Sequence, residues 1–187
     1  MSPSELLRTV LAALDASDVP YMLTGSFAAA YHGRPRATQD LDFVVAPTAG
    51  RLGELTRRLV GAGFYVDEAA AQDALLHQAQ FNAIHPGTGW KVDFIIRKSR
   101  PFSRAEFDRR REVRMEGLAF MVASVEDLIL AKLEWARLGG SARQLEDAAA
   151  LARFHRAELD LAYVRRWASA LGIEREWEQA EAEGSLS

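Results

Sequence analysis

The run Tyr21-Met-Leu-Thr-Gly25-Ser26, followed by Asp40-Leu41-Asp42-Phe-Val-Val45, limits more than any other feature what this chain can fold into. A short apolar strand ends at a Gly-Ser turn. Phe27 to His32 then reads as a helix, ended by Gly33 and kept from resuming by Pro35. The next strand, expected over 38–45, alternates. Side chains at i and i+2 of a strand share a face, so Asp40, Asp42 and Val44 lie on one side and Leu41, Phe43 and Val45 on the other. A further apolar strand, 90–96, carries Asp93 with Ile95 and Arg97 on one face, opposite Val92, Phe94 and Ile96. Carboxylates crowded beside apolar residues are costly unless a cation sits among them. A metal-bound nucleoside triphosphate supplies that cation and also suits a glycine turn that presents N–H groups to phosphate, so the constellation points to phosphoryl-type transfer.

The remaining elements follow from periodicity and breakers. Leu6, Leu7, Val10, Leu11 and Leu14 recur at helical spacing, which predicts a helix over 4–16 capped by Ser2 or Ser4. A helix is expected over 49–62 and a short strand over 64–66, while 68–79 is ambiguous, its composition favouring helix over a loop or strand. Strands 81–85 and 90–96 flank Pro86-Gly87-Thr88-Gly89 as a hairpin. A helix over 104–110 precedes a second hairpin, 112–115 and 118–122, turning at Glu116-Gly117. At Ser124 the pattern becomes all-helical, with Ser124 as N-cap and helices near 124–137, 142–154, 159–171 and 173–182. The expected fold is therefore α/β (α+β), a mixed β-sheet flanked by helices. Residues 1–122 form the core domain and 123–187 a C-terminal helical subdomain that closes one side of a cleft.

Composition excludes several classes. The chain has 187 residues and no cysteine, so disulfides, zinc–thiolate centres and thiol nucleophiles are ruled out. No stretch approaches the roughly 20 apolar residues of a membrane span, and the start lacks a secretion signal, so a cytoplasmic location is expected. A net charge of −3 gives no overall case for nucleic-acid binding, but charge is uneven. Residues 97–114 hold eight basic side chains against three acids, a segment that could steer a polyanion or simply be a solvated surface.

In the chemistry these residues imply, hard cations such as Mg²⁺ take oxygen ligands, commonly one or two carboxylates plus substrate phosphates. Two such ions, roughly 3.5–4 Å apart, can clamp an in-line displacement. Asp40, Asp42 and Asp93 are the candidate catalytic and metal-holding residues, with Asp93 also helping an acceptor hydroxyl lose its proton. Gly25 and Ser26 are candidate phosphate contacts. The competing structural reading is that Arg34, Arg36 and Lys91 neutralise the acids. Arg36 is assigned to nucleotide binding and Arg34 to a structural role. His32 reads as a packed or capping histidine, and the four tryptophans as core or helix-packing residues.

Thr24-Gly25-Ser26, thirteen intervening residues, Asp40-Leu41-Asp42 and the later Asp93 resemble the nucleotidyltransferase superfamily with the DNA polymerase β-like fold. Within it the chain resembles most the bacterial AbiEii/AbiGii toxin-type branch, which includes the MenT toxins. His32-Gly33, Arg36-Ala-Thr-Gln-Asp40-Leu-Asp42, Ser124-Val-Glu-Asp127 through Lys132, and Arg143-Gln-Leu-Glu-Asp147 carry that likeness. The resemblance implies transfer of a nucleoside monophosphate from an NTP, with Mg²⁺ (two ions with NTP bound) and pyrophosphate release. It implies that Lys132 and Asp147 bind nucleotide, although Glu146 stands where the branch often has a basic residue. The implied acceptor is RNA, such as a tRNA end, or a protein. The implied partner is a cognate antitoxin, and no membrane is involved. The alternatives are a small-molecule (antibiotic) nucleotidyltransferase and a non-catalytic nucleotide-binding or antitoxin-like module.

Overall fold

The computed structural model describes residues 2–34, 38–115 and 117–185. Helix α1 (Pro3–Ala16) is fixed at its start by a reciprocal cap in which the Ser2 hydroxyl accepts the Glu5 N–H while the Glu5 carboxylate accepts that of Ser2. Its apolar stripe, Leu6, Leu7, Val10, Leu11 and Leu14, is buried. Strand β1 (Tyr21–Thr24) passes directly into α2 (Gly25–Tyr31), so Gly25 and Ser26 form the first turn of the helix rather than a separate turn ahead of it. Strand β2 (Asp40–Val45) begins two residues later than expected, because the Thr38 hydroxyl accepts the Asp40 N–H in a local turn.

Helix α3 (Ala49–Gly61), capped by Thr48, leads to β3 (Tyr65–Val66). Segment 68–79, where composition favours helix, holds helix α4 (Glu68–His77), capped by Asp67 and ended by Gln78 in the left-handed conformation. Strands β4 (Gln80–His85) and β5 (Trp90–Ile96) form the first expected hairpin. Helix α5 (Pro101–Asp108) starts three residues before the expected position, since Pro101 at N1 loses no intrahelical bond. Strands β6 (Arg111–Met115) and β7 (Leu118–Val122) form the second hairpin, and the expected turn residue Glu116 lies outside the described residues.

The described strands make one mixed sheet in the order β3-β4-β5-β2-β1-β7-β6. The β2–β5 and β1–β7 pairs are parallel and the other pairs antiparallel. One face is apolar: Phe43, Phe94 and Phe81, register neighbours on β2, β5 and β4, stack at 6.0 and 5.0 Å. The fold is thus the mixed α/β class the sequence implied.

After β7 the chain continues as helices α6 (Val125–Gly139), α7 (Ala142–Phe154), α8 (Leu161–Leu171) and α9 (Glu174–Ser185). The chain divides into two compact units, Met1–Phe27 with Ala37–Val122, and Ala28–Arg36 with Ala123–Ser187. In the second unit, α6 packs on α7, α8 and α9. Ser124 caps α6, accepting the Asp127 N–H and donating its own hydroxyl to the Asp127 carboxylate at 2.7 Å. The buried Asp127 also accepts the Tyr163 hydroxyl at 2.6 Å, which ties α6 to α8. No helix among the described residues is long and apolar enough to cross a membrane.

Candidate active site

Strand alternation and register assemble the acid face of the first unit. Asp42 on β2 is the register partner of Thr24 on β1 and of Asp93 on β5, and Asp93 is in turn opposite Asn82 on β4. The row Thr24–Asp42–Asp93–Asn82 therefore crosses four adjacent strands on one face. Asp40 sits two residues earlier on that face and is exposed, opposite Lys91.

Gly25 lies against this row. Its φ of +65° is in the left-handed region, and a Cβ built on it would fall 2.5 Å from Asp42 Cγ and 2.8 Å from Asp42 Cβ. Both facts require glycine at the junction of β1 and α2. Ser26 is buried in the first turn of α2. Arg36, assigned to nucleotide binding from the sequence, lies outside the described residues.

Asp93 has its two oxygens in different surroundings. Its Oδ2 accepts a hydrogen bond from Lys91 Nζ at 2.8 Å, while its Oδ1 is buried with no hydrogen-bond partner. The bond to Asp93 raises the Lys91 pKa above the ordinary lysine value. Burial opposes this, and the Asp93, Asp40 and Asp42 charges add to it. Of the basic residues weighed as neutralisers, Lys91 thus takes that part. Arg34 does not: its guanidinium faces Asp147 at 3.9 Å, within the second unit.

An orphaned carboxylate oxygen beside a second carboxylate in register fits a hard divalent ion, which accepts one or two carboxylates and fills its remaining positions with phosphate oxygens and water. Asp42 and Asp93 would hold it. Among the described residues no three His, Cys, Asp or Glu side chains converge into a metal-holding group. Asp42 and Asp93 thus stand in register with the Lys91 ammonium against Asp93, and Asp40 lies two residues earlier on the same face.

In the second unit, Lys132 on α6 donates to Asp147 Oδ2 at 2.9 Å and to Gln144 Oε1 at 3.1 Å, both on α7. Lys132 and Asp147 are each about 4% exposed, so the pair the resemblance singled out is a buried, hydrogen-bonded ion pair. His32 has the packed role expected of it: its Nε2 lies 2.8 Å from the Ala123 carbonyl, and its own carbonyl faces His155 Nε2 at 2.8 Å. Trp90 and Trp177 are buried, whereas Trp135 is 55% exposed, contrary to the packing role expected of it, because its position on α6 faces solvent.

The basic segment 97–114 is partly consumed by packing. Arg97 and Arg110 lie over the Phe107 ring at 5.3 and 4.2 Å, and Arg100 over Phe102 at 5.6 Å. Sequence reasoning offered Lys91 as one of three neutralisers and did not single out its contact with Asp93. The available signal was its i, i+2 spacing to Asp93 on a strand.

Known structures share this architecture. An antigenic nucleotidyltransferase-like protein from Paracoccidioides brasiliensis matches with a TM-score of 0.58 at 17% identity, covering 98% of this chain and 94% of that one. The antibiotic-resistance factor ANT(2'')-Ia matches at 0.55 and 18%, covering 95% and 89%. The lincosamide antibiotic adenylyltransferase LnuA, lincomycin-bound, matches at 0.50 and 14%, covering 70% and 85%. At these identities the likeness establishes the fold. No curated protein sequence matches the chain. The family model described as nucleotidyl transferase AbiEii toxin, Type IV TA system, matches residues 7–183. With that match over nearly its whole length, the chain belongs to the AbiEii family of nucleotidyltransferase toxins.

Proposed function

We propose that this nucleotidyltransferase moves a nucleoside monophosphate from an NTP onto an RNA or protein hydroxyl, in a Mg²⁺-dependent reaction, as the toxin of a toxin–antitoxin pair in the cytoplasm. The observation that carries the reading is the register pairing of Asp42 with Asp93 beside Gly25.

A bound Mg²⁺ would supply charge neutralisation for the triphosphate and the developing negative charge on its leaving group. Asp42 and Asp93 would hold it, with Asp40 contributing from the same face. Gly25 keeps the Asp42 carboxylate close to the start of α2, where the backbone N–H groups of the first turn and the Ser26 hydroxyl can meet phosphate oxygens. The acceptor hydroxyl oxygen bonds to the α-phosphorus, the bond from that phosphorus to the bridging oxygen breaks, and pyrophosphate departs. The acceptor's proton is drawn off toward the Asp93 carboxylate. A second ion beside Asp93 would have to displace the Lys91 ammonium.

We assign Lys132, Asp147 and Arg36 to nucleotide binding on the family resemblance. For Lys132 this means that a ligand competes with Asp147 and Gln144 for its ammonium protons.

The decisive assay is incubation of wild type and Asp42→Asn with each labelled NTP, Mg²⁺ and total RNA or a protein lysate. Label transfer by wild type alone is expected, and equal labelling by both proteins would refute the assignment. A second reading, a small cationic drug as acceptor, is favoured by the likeness to ANT(2'')-Ia and LnuA. A panel of aminoglycosides and lincosamides in the same assay separates the two.

A further inference from the structure

We propose that Lys91 is a built-in second cation of the acid face, so that the site takes one divalent ion per bound nucleotide rather than two. The inference rests on the metal-dependent reading above and adds a specific role for a residue of this chain.

Lys91 lies two positions before Asp93 on β5, on the same face, and is the register partner of Asp40 on β2. Its ammonium sits 2.8 Å from Asp93 Oδ2, the distance of a charge-assisted hydrogen bond. It therefore occupies one acceptor site of Asp93 Oδ2 and sets a positive charge beside it, while Oδ1 is buried with no hydrogen-bond partner. A second divalent ion would lie roughly 3.5–4 Å from the first. It would need Asp93 Oδ2 or Asp40, and both are faced by the lysine charge.

Two ions need bridging and terminal carboxylates from more than one adjacent pair, whereas one ion completed by triphosphate oxygens needs only Asp42 and Asp93. A lysine ammonium is a compact point charge with three donors. Held against Asp93 Oδ2, it supplies a positive charge that belongs to the chain itself. Were it merely a surface bridge, its removal would leave metal stoichiometry unchanged. As a resident cation, its removal opens a second ion position.

The test counts ions rather than turnover. The full chain is mixed with Mn²⁺ and each of the four α,β-methylene NTPs, in which the bond to be broken is blocked, and bound Mn²⁺ is counted by electron paramagnetic resonance. Wild type is expected to hold one ion per nucleotide-bound chain. Lys91→Met and Lys91→Gln should hold two, and Lys91→Arg, which restores the charge, should return the count to one. Circular dichroism confirms that each variant is folded.

Two ions in wild type, or one in both neutral variants, would overturn the proposal while leaving metal-dependent nucleotide binding intact. If instead no analogue is retained with Mn²⁺ by wild type, or Asp42→Asn retains it equally well, the underlying metal-site reading fails and this proposal fails with it.

Discussion

Gly25 and Asp42 approach so closely that a single methyl group on the glycine would collide with the aspartate side chain. The contact joins the junction of β1 and α2 to the middle of β2 and fixes where the Asp42 carboxylate sits. Gly25→Ala must both move that carboxylate and hold an L-residue at φ +65°, which costs about 1–2 kcal/mol. The expected outcome is a folded protein with a small loss of stability and a loss of metal-dependent NTP binding. Isothermal titration with Mn²⁺ and NTP checks this, and wild-type affinity in Gly25→Ala would show that the contact is not needed by the site.

Lys132→Met leaves Asp147 buried and stripped of its 2.9 Å partner. Breaking a buried ion pair from one side costs roughly 3–5 kcal/mol, whereas replacing both partners with apolar groups is often neutral. Urea denaturation should therefore show Lys132→Met strongly destabilised and Lys132→Met/Asp147→Leu largely restored. If the restored double variant still fails to bind NTP, the pair has a role in binding beyond stability. Unaltered binding would assign it to packing alone.

Tyr21 gives the fold a weak point at high pH. Burial, aided by the nearby Asp15 charge, pushes its phenol up to about 12. An unfolded tyrosine ionises near pH 10. Between these values the folded chain keeps a proton that the unfolded chain has lost, so stability is fully present below about pH 10 and falls as pH rises toward 12. In Tyr21→Phe this component should vanish. Denaturation midpoints of the two proteins across the alkaline range should diverge from the value at neutral pH. Parallel curves would contradict the assignment.

Phe94 is wholly buried and stacked between Phe43 and Phe81 on the apolar face. Truncating such a residue removes both transfer free energy and packing. Phe94→Ala is expected to cost about 3–5 kcal/mol, read as a lowered urea midpoint. Its neighbour Asp93 points to the other face of the sheet. Asp93→Asn should accordingly affect stability far less while abolishing label transfer.

Local sequence chemistry specified a great deal. Strand β1 ends where the apolar run meets Gly25, and β5 spans the alternating run from Trp90 to Ile96. Ser124 begins α6 because its hydroxyl meets the Asp127 N–H three residues on. These are short-range effects of period, breaker and cap, and they are written in consecutive residues. The same alternation placed Asp40, Asp42 and Asp93 on strand faces away from the aromatic core.

What the sequence alone could not decide was which strands would be neighbours. Parallel pairing of β2 with β5 joins residues about fifty positions apart, and it alone sets Asp42 beside Asp93 and Asp40 beside Lys91. The same is true of Arg34, which stands six residues before Asp40 in the chain and yet pairs with Asp147. Residue spacing therefore determined the elements, their faces and the identity of the acids. Tertiary structure decided which cation each acid meets, because charge pairing depends on distance in space and strand register sets that distance.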